Sequence, residues 1–126
     1  MTAAAIVMAV LLVVIAAFQL ALALGAPLGA AAWGGQHLGV LPLRLRVASG
    51  LAGVLVYPLM ILYVLGSATL IDTSWLPIGR AGMWLLAGFF ALGAAANLAS
   101  RSRVERIWGP VSLVLAVCAV IIALGM

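Results

Sequence analysis

The sequence predicts an all-α membrane protein, a four-transmembrane-helix bundle, from its composition and from the lengths of its apolar runs. Of its 126 residues, 68% are hydrophobic and only 6% are charged, whereas charged residues make up about 25% of a typical soluble protein. A soluble fold would lack the polar side chains to cover its surface. Four apolar runs reach the length of about 20 residues that a bilayer core requires. We therefore expect a single transmembrane domain, residues 1–126.

The predicted spans alternate with short connections. They are expected at about 3–24, 47–71, 81–100 and 107–126. Pro58 lies near the middle of the second span and should kink it, because proline has no N–H to donate to the carbonyl one turn earlier. Pro110 falls in the first turn of the fourth span, where proline is tolerated.

The connection between the first two spans, residues 25–46, is unusually long, because helix connections generally have about 2–8 residues. It contains five of the 14 glycines and the only histidine. It is too apolar for a disordered linker, and Pro27 should end the first helix. Non-helical chain at membrane depth persists only where protein or water satisfies its backbone. We expect an interfacial or re-entrant segment here, anchored by Trp33.

The charges predict an orientation. The net charge of +4 comes from six arginines, with no lysine. Five arginines lie in the first and third connections and one in the second. Basic residues concentrate in cytoplasmic connections, so this pattern predicts a multi-pass protein of the cytoplasmic membrane with both termini outside. The arginines are too scattered to form the basic patch typical of a nucleic-acid-binding protein.

The residue types needed for catalysis or metal binding are scarce. The predicted helix interiors contain no Asp, Glu, Lys, Arg or His, although proton relays and ion pathways are built from such residues. A metal site needs several His, Cys or carboxylate ligands, and the chain has one histidine and one cysteine. We predict no metal, cofactor or catalytic residue. An enzyme is the weakest hypothesis, with His37 and Glu105 as its only acid–base candidates.

The predicted topology gathers a set of polar residues on the cytoplasmic face, with Ser100 and Ser102 beside them. Arginine suits an anionic or amphiphilic ligand there, because its planar guanidinium binds phosphate or carboxylate through two hydrogen bonds. Glu105 would orient Arg101, one helical turn away. The competing interpretation is that the arginines only set the topology and contact lipid headgroups. The candidate ligand-binding residues are Gln36, His37, Arg44, Arg46, Asn97, Arg101, Arg103, Glu105 and Arg106.

Two functional hypotheses follow, although no activity does. The first is a protein of the bilayer that binds a lipid-like or anionic small molecule, or a membrane partner, at its arginine-rich face. The alternative is a small transporter or channel that works as a homo-oligomer, because unwound helix segments form substrate sites in transporters. Gln19, the one polar residue well inside the first span, either contacts a ligand or forms a hydrogen bond to a neighbouring helix, which contributes about 0.6 kcal/mol.

Three segments carry a resemblance that covers most of the chain. They are FQLALALGAPLGAAAWGGQH, LPLRLR and NLASRSRVERIWGP. Together they resemble small bacterial four-helix integral membrane proteins that have no assigned activity. The resemblance implies four membrane-spanning helices, and it implies no substrate, cofactor or catalytic residue.

Overall fold

The computed structural model describes all 126 residues and contains helices and turns without a strand. As the sequence predicts, four helices are long and apolar enough to cross a membrane, which is compatible with a multi-pass membrane protein. The helices are α1 (Thr2–Ala23), α2 (Leu43–Ser67), α3 (Arg80–Leu98) and α4 (Trp108–Gly125). The ends of α1 and α3 and the starts of α2 and α4 lie together, and we call this the arginine-rich end.

α1 is the central helix, because it packs against α2 on one side and α4 on the other. Met8 and Leu12 are fully buried in these contacts, while Val10 is exposed. The helix ends at Ala23, and Gly25 then takes a left-handed φ of 98°. Glycine adopts this conformation without the steric cost that a Cβ imposes, and it commonly terminates helices in this way.

α2 begins at Leu43, directly after Pro42 in an extended conformation. This is four residues before the start expected at residue 47. Arg44 and Arg46 therefore lie in the first turns of the helix instead of in the connection. The difference arises because a long arginine side chain can place its apolar stem along a helix while its charged group reaches water.

The expected disturbance at Pro58 takes the form of a π-helical turn, Ala52–Val56, immediately before it. The N–H of Tyr57 donates to the carbonyl of Ala52, five residues earlier. Proline has no N–H to donate to the carbonyl of Val54, and a wider turn redistributes the hydrogen bonds around the missing donor. The helix continues to Ser67 after this turn.

α3 packs along α4, its main neighbour, while α2 and α3 make few direct contacts. The helices therefore follow one another in the spatial order α2, α1, α4, α3. Met83 of α3 and Leu115 of α4 are fully buried in the shared core. α2 and α3 form the two flanks, and α1 and α4 form the centre.

The second connection, residues 68–79, joins α2 and α3 at the end of the bundle opposite the arginine-rich end. The hydroxyl of Tyr63 donates to the Gly79 carbonyl (2.7 Å) and accepts from the Gly79 N–H (3.1 Å). The Asp72 carboxylate accepts from the backbone N–H of Ser74 (2.9 Å), and this hydrogen bond lowers the pKa of Asp72. α2 and α3 are thus tied together at this end.

The closest approach of α1 and α2 is at Gly53. A Cβ at this position would lie 2.8 Å from Cγ of Leu20 and 3.0 Å from the carbonyl oxygen of Ala16. Small residues allow such close packing between apolar helices, where van der Waals contact is the main attraction. A larger residue would push α2 away from the central helix.

We expect Gly53→Val to lower the stability of the detergent-solubilised protein by about 1–3 kcal/mol, the usual cost of overpacking. Gly88→Val is the matched control, because Gly88 is also helical but has nothing within 4 Å of its Cβ position. Thermal unfolding should show a lower midpoint for the Gly53 variant alone. Equal midpoints for the two variants would contradict the packing described for Gly53.

Candidate functional site

The first connection, residues 24–42, folds into two short 3₁₀ turns, Gly29–Ala31 and Trp33–Gly35. The N–H of Gly29 donates to the carbonyl of Gly39 (2.9 Å), which closes the segment into a loop. Gly34 has a left-handed φ of 79°, a conformation that favours glycine. The glycines of this segment thus serve its tight backbone path.

Three side chains from the third connection and the start of α4 hold the first connection in place. The Glu105 carboxylate accepts from the Gly34 N–H (2.8 Å). The Ser102 hydroxyl donates to a carbonyl of the first turn, and the Trp108 indole N–H donates to the next carbonyl (2.9 Å). Glu105 is only 6% exposed. These side chains satisfy backbone groups that no helix satisfies, as folded proteins require.

A contact to α2 holds the opposite side of the first connection. The indole N–H of Trp33 donates to the hydroxyl of Ser49 (2.9 Å), which is fully buried in α2. The two helix ends that flank the connection are also joined directly, because Nε of Arg46 in α2 donates to the carbonyl of Ala23 (3.1 Å) at the end of α1. A basic side chain at this position satisfies one of the free carbonyls of a helix end.

A cavity of about 240 Å³ lies beneath the first connection and is bordered by all four helices. This volume is close to the lower limit of about 300 Å³ for small-molecule pockets. Six of its 14 lining residues are aromatic: Phe18, Trp33, Tyr57, Phe89, Phe90 and Trp108. The rings of Phe18 and Trp108 contact each other with centroids 4.8 Å apart.

The polar side chains of the cavity lie towards the arginine-rich end. Asn97 and Glu105 border it there, beside Trp33 and Trp108, whereas Phe89 borders it further along α3. Eight residues of helix separate Asn97 from Phe89, a distance of about 12 Å at about 1.5 Å per residue. Phe89 is 54% exposed and α2 and α3 make few contacts, which indicates a path into the cavity from this flank.

Four polar side chains border the cavity: Gln19, Asn97, Glu105 and Ser112. Nδ2 of Asn97 donates to the hydroxyl of Ser112 (3.4 Å) across the α3–α4 interface. Gln19 differs from the others, because its Oε1 is buried and has no hydrogen-bond partner. The hydrogen bond to a neighbouring helix that was one expectation for Gln19 is therefore absent at this atom. Its other predicted interpretation, contact with a ligand, stays a prediction.

The structure separates the predicted site residues into two groups. Asn97 and Glu105 border the cavity, and none of the six arginines does. Glu105 hydrogen-bonds to the backbone of the first connection, not to Arg101 as the sequence suggested. His37 and Arg46 are half-buried, whereas the others are exposed at the arginine-rich end. The exposed residues are Gln36, Arg44, Arg101, Arg103 and Arg106.

Sequence analysis missed the aromatic wall of the cavity. The ring of Trp108 borders the cavity, and its N–H holds the first connection. Phe18, Phe89 and Phe90 lie in apolar runs, where nothing local distinguishes a cavity wall from a lipid-facing side chain.

We expect Glu105→Ala to loosen the first connection, because the N–H of Gly34 loses a charged acceptor, a bond that contributes about 1.5–3 kcal/mol. Hydrogen exchange of the amides at residues 29–39 should accelerate by about tenfold or more, since exchange reports local opening. Glu105→Gln keeps an acceptor oxygen and should show a smaller change. Arg103→Ala, at an exposed position of the same connection, is the control, and an equal acceleration in it would contradict this account.

The site thus consists of a folded connection, the side chains that hold it and a cavity whose polar side chains lie towards the arginine-rich end. We compared the chain with protein-family models, curated proteins and solved structures. No family model, no curated protein and no solved structure matches it.

Proposed function

We propose that this protein is an integral protein of the cell membrane that binds a small lipid-like amphiphile in the cavity. The observation that carries the proposal is the position of the polar side chains of the cavity, which lie within about one helical turn of the arginine-rich end, while apolar side chains line the cavity further along the helices. The exposed Phe89 and the few contacts between α2 and α3 add a path from the side. An amphiphile in a bilayer has the same order of groups, with its polar part at the interface and its apolar part deeper. The path on the α2–α3 flank would admit it directly from the membrane.

The arginines support an orientation for this arrangement. Five of the six lie at the end where the first and third connections meet, and basic residues concentrate on the cytoplasmic side of membranes. In this orientation the first connection lies at the cytoplasmic interface, where Trp33 is partly exposed. Aromatic rings with one polar group favour that depth. Of the two predicted forms, interfacial and re-entrant, the proposal takes the segment as interfacial.

The exposed arginines have a separate part in the proposal. Arg101, Arg103 and Arg106 lie outside the cavity, so they contact the phosphates of surrounding lipids. Anionic lipid surfaces attract such residues by about 1 kcal/mol each. These contacts anchor the arginine-rich end at the interface, while the cavity binds the ligand.

Native mass spectrometry of the protein released from nanodiscs of bacterial polar lipids tests this proposal. We expect the parent protein to retain an amphiphile and Gly93→Leu to retain at least tenfold less. Gly93 borders the cavity, and its Cβ position is at an ordinary distance of 3.7 Å from the Ser112 hydroxyl. The larger side chain therefore fills the cavity with little strain at its first carbon.

Gly88→Leu is the matched control, because Gly88 is on the same helix and its Cβ position faces open space. It should retain as much amphiphile as the parent. The proposal fails if the parent retains none, or if the Gly93 variant retains as much as the control.

A further inference from the structure

Oε1 of Gln19 is buried and has no hydrogen-bond partner, and Gln19 borders the cavity. A buried polar atom without a partner costs about 1–3 kcal/mol. Nearly all such atoms in folded proteins are paired, so each exception requires a physical explanation. An amide oxygen only accepts hydrogen bonds, and the missing group is therefore a donor.

The other polar groups of the cavity leave this oxygen unpaired. The Asn97 side chain donates to Ser112 (3.4 Å), and the Glu105 carboxylate accepts from Gly34 (2.8 Å). The Tyr57 hydroxyl also borders the cavity but does not pair with this oxygen, and the remaining neighbours are mainly aromatic or aliphatic. Because Gln19 borders the cavity, a ligand there can supply the donor once the amide turns towards it.

The charges around the cavity restrict the ligand further. Glu105 is the only charged residue that borders it, and no arginine does. A phosphate or carboxylate inside would lose its hydration without gaining a cation, and it would be repelled by Glu105. Aromatic rings and a carboxylate attract cations, so these charges disfavour an anionic group only. The group that enters the cavity carries no negative charge.

The depth of Gln19 is consistent with a small neutral headgroup. It lies four residues before the end of α1 at Ala23, about 6 Å along the helix at about 1.5 Å per residue. A diacylglycerol or a long-chain alcohol has a hydroxyl as its whole headgroup, with no bulky group that would hold it at the interface. The hydroxyl can therefore reach this depth while the hydrocarbon chains remain in the apolar part of the cavity and the membrane.

We infer that the cavity selects neutral amphiphiles with a free hydroxyl, such as diacylglycerols or long-chain alcohols, and that Oε1 of Gln19 accepts the hydroxyl proton. This inference rests on the proposed function and adds the chemical class of the ligand. The two polar regions of the molecule then contact different kinds of lipid. The arginines contact charged lipids outside, and Gln19 recognises an uncharged one inside.

Binding of three matched ligands to the protein in nanodiscs tests the inference. They are dioctanoylglycerol, its acetate ester, in which the hydroxyl is blocked, and dioctanoyl phosphatidate, which carries a phosphate. We expect the parent protein to bind dioctanoylglycerol about five- to tenfold more tightly than the ester, the usual contribution of one hydrogen bond. Phosphatidate should bind more weakly than dioctanoylglycerol.

Gln19→Leu removes the acceptor at nearly constant side-chain volume and should abolish the preference. It should bind both neutral ligands with the affinity that the parent has for the ester. Without ligand it should unfold at a higher temperature than the parent, because it removes an unpaired polar atom. Gln36→Leu, at an exposed glutamine of the first connection, is the control and should keep the parent preference.

The outcomes separate this inference from the proposed function. If Gly93→Leu abolishes binding but the parent binds all three ligands equally, the cavity binds amphiphiles without selecting a hydroxyl, and the inference is wrong. Tighter binding of phosphatidate, or a preference that persists in Gln19→Leu, also overturns it. If Gly93→Leu binds all three ligands as well as the parent, the proposed function itself is wrong.

Discussion

The hydrogen bond between the Gly34 N–H and the Glu105 carboxylate is the contact on which the arginine-rich end depends. It joins parts of the chain that are 71 residues apart, and its acceptor residue, Glu105, is buried while Gly34 is exposed. A charged acceptor forms a stronger hydrogen bond than a neutral one. Trp108 and Ser102 reinforce the same junction. The first connection can therefore cover the cavity while side chains of other segments pair with part of its backbone.

The sequence was sufficient to predict the class of fold, because composition and the lengths of apolar runs are global properties that a bilayer constrains strongly. It predicted less well the start of α2, where Arg44 and Arg46 suggested a connection but lie in a helix. The hydrogen-bond partners of individual side chains were the least predictable. Glu105 was matched with Arg101 because a sequence shows the spacing within a helix, whereas its bond to Gly34 depends on how the first connection folds.

The cavity could not be predicted for a related reason. Its wall takes residues from all four helices and from the first connection, so no segment contains a pattern of its own. It depends on a property of helix packing, namely that α2 and α3 are joined by Tyr63 at one end and separated at the other. Phe89 illustrates the difficulty, because its side chain is both a cavity wall and a partly lipid-facing ring.

Gln19 connects stability to the suggested function. An apolar residue at this position would avoid the cost of an unpaired amide oxygen, about 1–3 kcal/mol, and α1 is otherwise apolar from Ala3 to Leu24. Binding sites commonly retain groups that reduce the stability of the empty protein. The hydroxyl of a bound amphiphile would remove this cost, and the same free energy would then appear as selectivity for that ligand. The unpaired Oε1 of Gln19 thus lowers the stability of the empty protein and is also the group that would select the ligand.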